Sequence, residues 1–208
     1  MLRAFLWCAA ALATSIALGP PAVSADAGVP SPTAAAALSL CRAADAASEA
    51  EQRRLLERGL QLAEEAVAAD DADAAGHFGV FCNLGKRMRL DGVRVASLFS
   101  LRRLRHEVDR ALELDPRNVD ALVGKAALLA HEPRVLGGDR DEGEALLRRA
   151  LDLAPNYSEA RLGLAQLLAA RGATESAAAE ARRVLANEGS PDSGRAREAR
   201  RLLERLND

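Results

Sequence analysis

Aromatic and sulfur-bearing side chains are scarce in this sequence: its 208 residues hold 1 Trp, 1 Tyr, 4 Phe, 3 Cys and 2 Met. The tryptophan and one phenylalanine sit among the first ten residues, so Phe78, Phe81, Phe99 and Tyr157 are the whole aromatic set beyond them. A core so short of rings has to be built from Leu, Ala and Val, which suits close-packed helices and suits a β-sandwich poorly. Cysteines without a C-x-x-C spacing exclude a zinc ribbon, a dithiol redox motif and an attached haem. The H-E-x-x-H, G-x-S-x-G and P-loop patterns are missing as well. His106-Glu107 and His131-Glu132 lack a second histidine, and Gly137-Gly138-Asp139 lacks the lysine of a phosphate cradle. The chain therefore reads as a binder rather than an enzyme, with no cofactor and no metal. Charge of one sign is absent too. Without Arg3, 27 basic side chains stand against 30 acidic ones, and no field calls for nucleic acid.

A long apolar run is also lacking. Ala4 to Leu18 falls short of the about 20 residues that a membrane span requires. Met1-Leu2-Arg3 precedes that run, Pro20-Pro21 breaks it, and Val23-Ser24-Ala25 places small residues where signal peptidase reads. This layout predicts a secretory signal peptide over 1–25, cleaved before Asp26, and a periplasmic or secreted mature chain with at most peripheral membrane contact. In an oxidising compartment Cys41 and Cys82 either form one disulfide or remain two small buried residues, and the sequence leaves both open.

What is present is helical periodicity. A proline-bearing linker (26–32) leads to a degenerate helix pair over 33–71, with Thr33 as its cap, helices to Ala46 and from Ser48 to Ala69, and a break at Asp70-Asp71. The next pair is expected at His77–Leu90 and Ala96–Leu114, followed by Asn118–Ala130. Pro133 to Gly138 form a loop, then helices run from Asp139 or Asp141 to Ala154, from Ser158 to Ala170 and from Thr174 to Ala186. A polar helix over 192–208 caps the end. Ala111-Leu-Glu-Leu-Asp-Pro-Arg-Asn118 recurs as Ala150-Leu-Asp-Leu-Ala-Pro-Asn-Tyr157, each copy closing one apolar-periodic helix. The small residues Ala66, Ala111, Ala150 and Val184 stand 45, 39 and 34 residues apart.

With Leu122, Ala126, Leu129, Gly143, Leu147, Ala150 and Pro116 or Pro155 at signature positions, residues 72–189 resemble tetratricopeptide repeats, as do Arg161, Leu164, Ala165, Leu168, Gly172 and Ala177 in the last full repeat. Leu122 and Arg161 stand where that family usually has tryptophan. The resemblance implies an all-α, right-handed superhelical solenoid of antiparallel helix pairs. Its concave face would bind a protein or peptide partner in the bacterial envelope. Family groove positions fall on Asp120, Val123, Ala127, Ala130 and His131, and on Glu159, Leu162, Gln166, Ala169 and Ala170; Phe78, Cys82 and Lys86 are their counterparts in the first full hairpin. Asn118 and Tyr157 would border the same face. The Lys/Asn/Arg set of a carboxylate clamp is incomplete, since Asn83 and Lys86 have no matching set in the next two first helices. The Pro133 to Gly138 loop and His77-Phe78 are similar to exported repeat proteins such as the T-component of TRAP transporters. That similarity implies an alternative in which His77, Phe78 and Phe81 line a pocket for a small solute. Lys86, Arg87, Arg89, Arg94, Arg102, Arg103 and Arg105 form either a patch for an acidic partner or anionic lipid head groups, or an ordinary solvated face.

Overall fold

Nine α-helices and no strand make up the described part of the chain, a computed structural model covering residues 29–92 and 97–207, with α4 side chains from Phe99 onward. The expected signal peptide, residues 26–28 of the linker, Arg94 and the Leu98 side chain lie outside it. The helices are α1 (Pro32–Ala43), α2 (Glu49–Ala69), α3 (Ala74–Asp91), α4 (Ser97–Leu114), α5 (Val119–His131), α6 (Arg140–Leu153), α7 (Ser158–Ala170), α8 (Thr174–Asn187) and α9 (Gly194–Asn207). Short 3₁₀ turns, Ala44–Ala46 and Arg134–Leu136, extend α1 and interrupt the α5–α6 loop.

Local chemistry sets most of the starts. Asn118 Oδ1 accepts the Ala121 N–H at 2.9 Å, and Asp139 Oδ1 accepts those of Asp141 and Glu142 at 2.9 and 3.1 Å. Ser193 Oγ accepts the Ala196 N–H at 3.0 Å. Each such cap satisfies amide donors that the first turn leaves unpaired, a contribution of about 1 kcal/mol. Two expected starts are corrected. Ser31, not Thr33, caps α1 through the Ala34 N–H at 3.1 Å, with Pro32 at the first helical position, where its missing N–H costs nothing. Asp73 caps α3 through Gly76 at 3.0 Å, so that helix begins three residues before His77.

Pairs α1–α2, α3–α4, α5–α6 and α7–α8 are antiparallel hairpins, and α9 follows as an unpaired helix against α7 and α8. Small residues mark the closest crossings: Ala111, Ala126, Ala150, Ala165 and Ala177 are fully buried. Gly143 is tighter still, since a Cβ there would stand 3.2 Å from the Ala126 carbonyl. Leu122, Leu147, Leu164 and Leu167 fill the core between the second-last and last hairpins, while Leu60, Val80, Leu84 and Leu104 fill the first. The structure joins Cys41 and Cys82 as a disulfide, tying α1 to α3 across a sequence separation of 41 residues.

Candidate functional site

The first helices touch one another along a single layer, α1 on α3, α5 on α7 and α7 on α9. No comparable packing joins α2 to α4, α4 to α6 or α6 to α8 among the described residues. In a stack that curves by a small rotation per hairpin, this layer is the candidate concave face.

On that face the structure redistributes the expected contact residues. Phe78, Val123 and Leu162 are in the core, with 8%, 7% and 5% of their surface exposed. Phe78 packs with Val108, Ala111 and Ala121, Val123 joins the cluster of Leu147 and Leu164, and Leu162 meets Ala181, Val184, Ala199 and Leu202. The family's groove position is spent here on sealing one hairpin against the next. Asn118 acts as a helix cap. Lys86 Nζ donates to the Cys41 carbonyl at 2.8 Å and to Asp45 Oδ1 at 2.5 Å, so it closes the end of α1. Gln166 Nε2 donates to Glu198 Oε1 of α9 at 2.7 Å. His131 is exposed at the end of α5, with its Nδ1 2.7 Å from the Ala127 carbonyl.

Asp120, Tyr157 and Glu159 come together where α5 and α7 begin. The Tyr157 hydroxyl donates to Asp120 Oδ1. Burial, then that hydrogen bond and the Asp120 charge, push the phenol well above its ordinary value. Glu159 makes no hydrogen bond or ion pair among the described residues, and its carboxyl is also raised. Desolvation is the main cause; Arg195 opposes it, Asp120 adds to it, and Lys86 and Asp45 act weakly in opposite senses. Glu159 is exposed near the start of α7. Groups from α1's end, α3, α5, α7 and α9 thus share one electrostatic environment. Asp45 and Arg195 were not among the expected residues. Arg195 is held by Glu188 at 2.9 Å, and the recurrence of a helix start one repeat length after Ser158 was the available signal for placing α9 on this face.

The residues of the expected solute pocket are packed away. His77 is buried, its Nδ1 2.7 Å from Glu107 Oε2 and its Nε2 3.1 Å from the Asp71 carbonyl. Phe81 stacks on Phe78 at 5.9 Å and lies against Gly124, where a Cβ would come within 2.4 Å of the ring. These contacts knit α3 to α4 and α5. Three of the seven residues of the basic run are paired: Arg103 with Glu64 at 2.6 Å, Arg105 with Glu132, and Lys86 with Asp45. Among the described residues no cluster of His, Cys, Asp and Glu is placed to hold a metal, and no helix is long and apolar enough to cross a membrane.

Comparison with known proteins agrees with this architecture. The tetratricopeptide repeat family profile matches residues 136–193. A thermophilic tetratricopeptide-repeat protein of Thermus thermophilus superposes with a TM-score of 0.58 at 16% identity, over 82% of this chain and 81% of its own. Two weaker likenesses are YrrB, a tetratricopeptide-repeat protein with an unusual peptide-binding site, and the MamA RS-1 ArsTM double mutant. YrrB has a TM-score of 0.41 at 18% identity over 79% of this chain and 92% of its own. The MamA mutant has 0.49 at 14% over 86% and 97%. Comparison with curated proteins returns no match. At these identities the likeness is one of fold: the chain is an all-α stack of helix hairpins whose residues 136–193 match the tetratricopeptide repeat profile.

Proposed function

We propose that this chain is an exported scaffold that holds a protein partner in the bacterial envelope through its concave helical face. The observation that carries the proposal is the group at the mouths of α5 and α7. There an exposed Asp120, a Tyr157 that orients it and a Glu159 with no partner among the described residues face the concavity shared by the first helices and α9. A helix-hairpin stack offers such a face as a long, preformed surface, so a partner segment binds without ordering the receptor. Two features support the exported location. The first 25 residues have the layout of a signal peptide. The Cys41–Cys82 disulfide is of a kind that persists in oxidising compartments and is rare where thiols are kept reduced.

The test is site-specific photo-crosslinking in the native envelope. One crosslinking residue replaces Ala127, which is exposed on α5, and another replaces Glu65 on α2. The expected result is one protein captured from Ala127 but not from Glu65. Its capture should be lost in the Asp120→Lys/Glu159→Lys double variant, whose helical circular dichroism stays intact. Equal capture from both positions, or unchanged capture by the double variant, would overturn the assignment of the concave face.

A further inference from the structure

The concave face uses only one edge of α9. On the outer ridge of that helix Arg197, Arg201 and Arg205 are all exposed, on the side opposite the buried Ala196, Ala199 and Leu202. Their i, i+4, i+8 spacing lines them up about 6 Å apart along the helix axis. Within Gly194–Asn207 five arginines stand against two glutamates, and none of the acids is in the first turn. At many points of the stack arginines reach a carboxylate on another helix: Arg53 to Asp91, Arg103 to Glu64, Arg161 to Glu180 and Arg171 to Asp141. On this ridge none of the three makes an ion pair among the described residues. Arg197 instead donates to the Asp192 carbonyl at 2.6 Å, and the neighbouring Arg200 donates to the Pro191 carbonyl at 2.7 Å. Carbonyl contacts of this kind hold a guanidinium head in place without cancelling its charge. The helix packs on α7 and α8, and no other described helix lies over the ridge.

We infer that this ridge is a second docking surface, separate from the concave face, for an acidic α-helix of a protein partner. A helix laid along α9 has the same rise per residue, so carboxylates at its own i, i+4 and i+8 positions meet the three guanidiniums in register. Each contact has the planar, two-pronged geometry that arginine and a carboxylate share. Other anionic partners fit less well. An interfacial membrane helix inserts an apolar face, and the apolar face of α9 is already buried on α7 and α8. Single-stranded nucleic acid needs aromatic platforms for its bases, and neither α8 nor α9 has an aromatic side chain.

Fluorescence anisotropy on the full chain tests the proposal. One labelled helical peptide carries glutamates at i, i+4 and i+8. A second has the same composition with its glutamates spread around the helix. The protein variants are Arg197→Gln/Arg201→Gln/Arg205→Gln, which alters exposed positions only, and Asp120→Asn/Glu159→Gln on the concave face. At low salt the triple variant should bind the aligned peptide about tenfold more weakly than the unmodified chain. The scattered peptide should bind as weakly as that, and added salt should erase the difference. The concave-face variant should bind the aligned peptide as well as the unmodified chain does. Equal binding of the two peptides, or no loss in the triple variant, would refute a registered acidic-helix site. Loss in the concave-face variant would show that the two surfaces are one. Tighter arginine-dependent binding to phosphatidylglycerol vesicles or to a single-stranded RNA would also overturn the proposal, by assigning the ridge to a different class of partner.

Discussion

Replacing Gly59 with alanine should destabilise the first hairpin, although alanine is the better helix former by about 1 kcal/mol. Gly59 lies in α2 at its crossing with α3, opposite Asn83. A Cβ at this position would come within 2.1 Å of Asn83 Oδ1 and 2.7 Å of its Cγ. Asn83 has little freedom to retreat, because it is fully buried and its Nδ2 donates to the carbonyls of Gly79 at 2.8 Å and Ala37 at 3.2 Å. Its Oδ1 has no hydrogen-bond partner, which is the counterpart of fitting an amide against a bare Cα. Forcing a methyl group into this contact costs about 1–3 kcal/mol of overpacking. Displacing the amide forfeits hydrogen bonds of about 1 kcal/mol each. Set against the helix-propensity gain, the net loss is about 2–4 kcal/mol, a fall in melting temperature of about 5–15 °C for a chain of this size. The decisive assay is a double-mutant cycle by urea and thermal unfolding, followed by circular dichroism. In an Asn83→Ala background the clash is gone, so Gly59→Ala should become stabilising by up to about 1 kcal/mol. Equal loss in both backgrounds, or no loss in either, would refute the idea that this glycine exists to admit the asparagine.

Two further outcomes follow from the same geometry. The Cys41–Cys82 disulfide closes a 41-residue loop; removing it with a Cys41→Ser/Cys82→Ser pair should cost about 4 kcal/mol by chain entropy, and a melting point indifferent to reductant would contradict this. Crowding raises the Glu159 carboxyl above its ordinary value of 4.5, so the folded chain holds that proton more tightly than the unfolded one. Stability should then fall as pH rises from the ordinary carboxylate range through the raised value, and Glu159→Gln should flatten that part of the curve; parallel urea-midpoint profiles for the two proteins would count against the assignment.

Much of the secondary structure was legible because it is written in local chemistry. Asn118 and Asp139 stand at helix starts where a polar cap meets an apolar period, and the prolines after Asp115 and Ala154 fix where helices stop. The first cap was misplaced because Ser31, Pro32 and Thr33 all favour a helix start, and only the Ser31 hydroxyl reaches an amide three residues on. The candidate face was less legible. Periodicity shows that Val123 and Leu162 lie on an apolar flank, yet it is silent on whether that flank meets the next hairpin or open space. That depends on the rotation between hairpins, which arises from contacts far apart in sequence.

The sequence by itself determined the all-α hairpin stack, since apolar spacing, caps and small residues at crossings act within a few turns of chain. The tertiary structure alone decided that Cys41 meets Cys82 and that His77 is closed in by Glu107. It also decided that α9 packs on α7 with Glu198 against Gln166, and that the Tyr157 hydroxyl reaches Asp120 from the next hairpin, near Glu159. Those are relations between helices, set by how side chains of different hairpins interlock, and the linear pattern of a single helix does not record which neighbour it will meet.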